Sequence, residues 1–206
     1  MIGNNSTDCL LSQVRSCQLC VKNLPLEPKP IIQASISSKI LIIGQAPGTK
    51  AHRTGIPWND ASGKRLRNWL KIPKNIFYNK SQIAIIPMGF CYPGRTVNGG
   101  DLPPKTECAP TWHEKILKLL PKIELTILIG SYAQKYYIET ARKATMTNTV
   151  SNWRTLFPRI AATPHPSWRT LAWEEKNPWF KMELLPALQT RIRKILNAES
   201  PSPNDV

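Results

Sequence analysis

The chain has 206 residues, 41% hydrophobic and 20% charged, a balance that suits one globular domain whose core does not depend on disulfides. No apolar run reaches the ~18 residues of a membrane span, and the N-terminus lacks the basic start and apolar stretch of a secretory signal, so the expectation is a cytoplasmic, intracellular protein with no membrane partner. Lys and Arg number 28 against 13 Asp and Glu, a net charge of +15 with a pI near 9.9, which points to a polyanionic partner, and seven tryptophans add the aromatic faces on which bases stack.

In chain order, Leu10, Leu11 and Val14 predict a short helix within residues 5–20. Apolar runs predict strands at 39–44, 82–87, 124–130 and 159–163. Between them, helical patterns begin at Ala61 (ASGKRLRNWLK), Pro110 (PTWHEKILKLL) and Ser131 (SYAQKYYIETARK). A closing helix is expected over 176–196, interrupted near Pro186, with a disordered tail over 198–206. The strands are nearly continuous in apolar residues instead of alternating, which marks strands buried on both faces and therefore parallel. The order β-α-β-α-β-α-β then gives an α/β fold, a three-layer αβα sandwich around a central four-stranded parallel sheet, as a single domain over 1–197.

Ligands of such sheets bind beyond the carboxyl ends of the strands, where this chain places GQAPGTKAHRTGIPWNDASG, PMGFCYPG, GSYAQ and HPSWR. In GQAPG, Gly44 and Gly48 permit unusual backbone conformations and Pro47 stiffens the turn. Trp58 offers a flat apolar face. Asp60, two residues on, can cap the following helix, serve chemistry, or do both. His165 sits between two prolines with little backbone freedom, which suits a fixed electrostatic group. Ser167, Trp168, Arg169 and Leu171 follow, combining a phosphate-binding hydroxyl, a cation and apolar groups able to wedge into a base stack. The cysteines divide into Cys17-x2-Cys20 and Cys91-x16-Cys108, with Cys9 left over. Four thiols without a disulfide context suggest a [4Fe–4S] cluster or an all-thiolate zinc site, and their spacing does not choose between them.

Taken together, these motifs resemble the uracil-DNA glycosylase superfamily over about residues 14–190, and within it the iron–sulfur branch of families 4 and 5. GQAPG looks like the first superfamily motif and HPSWR like the second. Cys17, Cys20, Cys91 and Cys108 look like the branch's cluster ligands, which favours [4Fe–4S] with zinc as the alternative. RTGIPWNDASG is similar to family 5, although the bracket around its aromatic is one residue shorter and Asn59 stands where a glycine precedes the aspartate. The resemblance implies a glycosylase of damaged DNA, monomeric, in base-excision repair. Asp60 would orient the attacking water and His165 would stabilise the departing base anion.

On the same reading Gly44, Gln45, Ala46 and Trp58 hold a flipped base. Lys64, Arg65 and Arg67, with Ser167, Trp168, Arg169 and Leu171, hold or prise the DNA. Family 4 carries a base-reading asparagine four residues before the third cluster cysteine, and counting back from Cys91 reaches Pro87, which has no amide to give. A tolerant pocket follows, one that accepts uracil and a deaminated purine, hypoxanthine or xanthine. The alternatives from other classes are a non-catalytic, metal-containing nucleic-acid-binding protein that kept the fold, and a hydrolase of free nucleotides.

Overall fold

The computed structural model describes residues 2–97 and 99–197; the tail expected over 198–206 lies outside them. Four strands, β1 (Ile40–Ile43), β2 (Ile83–Ile85), β3 (Leu125–Ile129) and β4 (Ile160–Thr163), form one sheet in the order β2-β1-β3-β4. Every pairing is parallel, with Ile40 opposite both Ile83 and Leu125, and Thr126 opposite Ile160. All residues of β1 and β2 are buried, and all but one each of β3 and β4. Burial on alternate sides at once requires cover on both faces, so the helices lie on either side of the sheet as the apolar runs predict. The β2 edge is closed by Gln33. Its backbone exchanges hydrogen bonds with Ile85 and its amide donates to the carbonyls of Ile83 and Phe77, so the sheet offers no open ladder there.

The helices are α1 (Ile2–Arg15), α2 (Thr49–Thr54), α3 (Ala61–Leu70), α4 (Lys74–Phe77), α5 (Glu114–Lys118), α6 (Ser131–Tyr137), α7 (Met146–Ser151), α8 (Leu171–Lys176) and α9 (Leu185–Asn197). Three depart from expectation. The helix from Ser131 ends at Tyr137 because Ile138 turns extended and is buried, and a 3-10 turn over Glu139–Arg142 follows, where Ala141 is buried. The closing helix breaks earlier than Pro186: α8 stops at Lys176, a wide π turn spans Phe180–Leu184, and Pro186 sits in the first turn of α9, where its missing N–H costs least. The segment from Pro110 begins as a π turn over Ala109–His113 before α5. Among the described residues no helix is long and apolar enough to cross a membrane.

The π turn carries His113 inside, where it is 1% exposed. Its Nε2–H donates to the Pro87 carbonyl at 3.0 Å and its Nδ1 accepts from the Tyr137 hydroxyl at 2.5 Å, which fixes a neutral tautomer. Phe90 stacks on the ring with centroids 5.6 Å apart. Burial lowers the imidazole pKa to about 4 against an ordinary 6.5. A depressed histidine is neutral in the fold while the unfolded chain takes up a proton, so its contribution to stability is complete above pH 6.5 and is lost as pH falls towards 4. The loss amounts to about 3 kcal/mol. Urea unfolding at pH 7.5 and 4.5 should therefore show a larger acid loss for the parent than for His113→Gln; equal losses would remove His113 from the account.

Candidate active site

β1 delivers the chain into the turn Gly44–Gly48, and the segment after β2 continues the ladder past the sheet, with Met88 N–H donating to Gly44 O and Gly89 N–H to Gln45 O. The turn is thus pinned on one side. On the other, the Gln45 amide donates to the Leu102 carbonyl at 3.0 Å, which ties it to the loop between Cys91 and Cys108. Gly48 caps α2, which ends at Gly55 in the left-handed region, φ 73°. The chain then reaches Trp58, a non-glycine residue that is itself left-handed at φ 54°.

The surroundings hold Trp58 in this conformation. Its carbonyl accepts from Arg67 Nη1 at 3.2 Å and lies 3.3 Å from the Tyr78 hydroxyl, which also reaches Pro57 O at 3.0 Å. A β-carbon on Gly63 would sit 1.7 Å from that carbonyl oxygen, and one on Gly44 would sit 2.7 Å from Cζ2 of the indole. Both positions need glycine because Trp58 fills the space. The indole tilts by 32° against the His165 imidazole, with centroids 5.5 Å apart.

Asp60 caps α3: its Oδ1 accepts from Gly63 N–H at 2.7 Å. It also lines the cleft, so capping and a place in the pocket coexist. That cleft encloses about 560 Å³ of free space, its open mouth included, and Gly44, Gln45, Ala46, Trp58, Asp60 and His165 all line it. The sequence analysis drew these six from three separate motifs, and the fold brings them together. Burial pushes the His165 pKa below its ordinary value, while the carboxylates of Asp60 and Asp101 pull it back up. The imidazole is therefore neutral near pH 7 and able to donate.

The cleft also contains Pro87 and Asp101, of which Asp101 was not anticipated. It lies inside a Gly-Gly-Asp-Leu-Pro-Pro run that reads as a turn, and only the fold carries it back over GQAPG.

The phosphate-binding expectations divide. Lys64 is exposed. Arg65 and Arg67 are corrections: they face inward. Arg65 pairs with the buried Glu174 and donates to Ser167 O at 2.8 Å. Arg67 holds the Trp58 carbonyl and lies over the rings of Phe77 and Tyr78. An anionic residue at 2% exposure demands a paired cation, and Arg65 and Lys181 answer it. Ser167, Trp168, Arg169 and Leu171 form the rim beyond His165. Trp168 is 72% and Leu171 50% exposed, with Arg169 lying over Trp168.

Cys17, Cys20, Cys91 and Cys108 are free thiols, the last three buried, and Cys9 stands exposed on α1. Burial pushes Cys91 up to about 12 and Cys108 to about 11; Cys20, Cys108 and Cys17 add to the first shift, and Cys20 and Cys17 to the second. The four thus occupy one neighbourhood, joining the segment after α1 to both ends of the 91–108 loop. Among the described residues no group of three or more His, Cys, Asp or Glu side chains is arranged to hold a metal ion.

Two neighbouring cations on α3 should separate in experiment. Arg65→Ala leaves Glu174 with the half-exposed Lys181 alone and should cost on the order of 3 kcal/mol in denaturant unfolding. Lys64→Ala should leave stability unchanged within ~0.5 kcal/mol. Equal stabilities for the two variants would contradict the inward role of Arg65.

A sequence model of the uracil DNA glycosylase superfamily matches residues 32–189, from the segment that closes the β2 edge to the first half of α9. The match takes in all four strands and every residue that lines the cleft except Ile31. The chain belongs to the uracil DNA glycosylase superfamily, whose members act on DNA as glycosylases.

Proposed function

We propose that this protein hydrolyses the N-glycosidic bond of a deaminated base, uracil and hypoxanthine or xanthine, flipped out of damaged DNA in base-excision repair. The observation that carries the reading is the shared cleft: an aromatic face, a carboxylate and a neutral imidazole from three motifs meet beyond the carboxyl ends of the strands. Extrusion would bring the base against Trp58, with its polar edge towards the turn at Gln45 and Ala46. Trp168 and Leu171 are exposed apolar groups able to fill the gap left in the stack, and Lys64 and Arg169 are exposed cations able to meet phosphates.

Breaking the C1′–N bond leaves positive charge on the sugar and negative charge on the base. The Asp60 carboxylate, with Oδ1 committed to Gly63, has its second oxygen to orient water and take its proton as the water oxygen bonds to C1′. His165, neutral because burial outweighs its acidic neighbours, donates to the base anion.

Cys17, Cys20, Cys91 and Cys108 fit a [4Fe–4S] cluster as in the iron–sulfur branch of the family. The four thiols share one neighbourhood, which supports a thiolate-bound cofactor there, with an all-thiolate zinc site as the alternative. A cluster there would cross-link the N-terminal segment to the 91–108 loop and supply no step at the glycosidic bond. Protein purified without oxygen should be brown, with iron and sulfide lost in Cys91→Ser. Stoichiometric zinc in colourless protein would reject the cluster and keep the cross-link; metal-free protein would reject both.

Single-turnover excision on duplexes that differ only in the damaged base tests the function. The parent should release uracil and at least one deaminated purine. Asp60→Asn and His165→Ala should each slow release by something on the order of 10²–10³ with little change in DNA affinity. Tight binding without release of any base would instead establish the non-catalytic reading, with Asp60 serving only as a helix cap.

A further inference from the structure

Several of the groups that could read the edge of a bound base are occupied by the protein itself. Pro87 has no N–H, and its carbonyl already accepts from His113. The Gln45 amide N–H is committed to Leu102 O, and Asp60 Oδ1 to the α3 cap. Asp101 is different. Its Oδ2 is the nearest atom, at 3.9 Å, to the point a β-carbon on Gly48 would take, so the carboxylate stands beside the GQAPG turn and lines the same cleft. Among the described residues its ion-pair partner is Arg95, at 3.8 Å and so beyond hydrogen-bonding distance, and the Asp101 side chain is 49% exposed.

The backbone that carries Asp101 is anchored on both sides. Leu102 N–H donates to Gly94 O at 2.9 Å, the Leu102 carbonyl takes the Gln45 amide, and Asp101 bridges to Arg95. His165 senses this carboxylate as it senses Asp60, which puts both acids around one imidazole.

We propose that Asp101 is a specificity-determining residue of the cleft: its carboxylate accepts a ring N–H from the extruded base and favours hypoxanthine over uracil and xanthine. The proposal rests on the glycosylase reading and adds to it the group that ranks the substrates. An ionised carboxylate only accepts. Facing hypoxanthine, one oxygen takes N1–H while the other meets C2–H. Facing N3–H of uracil or N1–H of xanthine, the second oxygen meets a carbonyl oxygen and is repelled. Asp101 is half-exposed until a base arrives, and a polar group that the bound base covers and leaves mismatched discriminates between ligands.

Asp101→Asn keeps the shape and replaces an acceptor by an amide that both donates and accepts, which complements the N–H/C=O edge of uracil. On matched duplexes, the ratio of hypoxanthine to uracil excision should fall by roughly ten- to a hundred-fold in Asp101→Asn, with xanthine following uracil and the melting temperature unchanged. Arg95→Ala, which removes the outer ion partner, should keep the parent ratio. An unchanged ratio in Asp101→Asn, or the same change in Arg95→Ala, would overturn the proposal while leaving the glycosylase reading intact. Binding of free hypoxanthine and uracil, read by tryptophan fluorescence, decides the point independently of turnover. If the parent excises nothing, the glycosylase reading fails, and loss of hypoxanthine preference in Asp101→Asn still supports Asp101 as the reader, whereas equal preference in both proteins overturns it.

Discussion

The architecture of the cleft depends on the backbone of Trp58. A bulky residue at φ 54° lies in a region that costs roughly 1–3 kcal/mol unless its surroundings enforce it. Here they do: Arg67 and Tyr78 meet the carbonyl, and Gly63 leaves room for it where a β-carbon would lie 1.7 Å from its oxygen. The same constraint places Asp60 two residues later at the start of α3 and presses the indole against Gly44 and His165. One strained residue thereby links the first strand, the third helix and the end of the fourth strand.

The charge of the molecule is organised by the same packing. A basic helix after the first motif suggests three cations for phosphate, but α3 is packed against α9 and the 167–174 segment, and only residues on its outer face keep their charge for solvent. Arg65 and Arg67 become structural cations, one neutralising Glu174 and one holding Trp58. Their inward placement supports the walls of the cleft, while Lys64, Arg169 and Trp168 stay exposed to solvent.

The sheet was legible in the sequence because parallel strands buried on both faces leave continuous apolar runs, and each run exceeds its strand by at most two residues at either end. Six residues of the cleft were legible because glycines, prolines and a capping aspartate cluster at strand ends. What remained hidden depends on distant partners. Nothing local tells that Arg65 meets Glu174, 109 positions away, or that Asp101 returns over Gly48. The early end of α6 is likewise tertiary, since Ile138 leaves the helix into a buried site. The thiols were legible as a set of four; their shared neighbourhood required the fold.

The account's central claim is that the cleft between Trp58 and His165 receives the target base. A crystal structure with a duplex carrying a non-cleavable deaminated nucleotide tests it most directly. The account predicts the base extruded against Trp58, its glycosidic bond between Asp60 and His165, and Trp168 or Leu171 in the vacated stack. A duplex bound on another face, or one with its base still stacked and Trp58 filling the cleft, would contradict it.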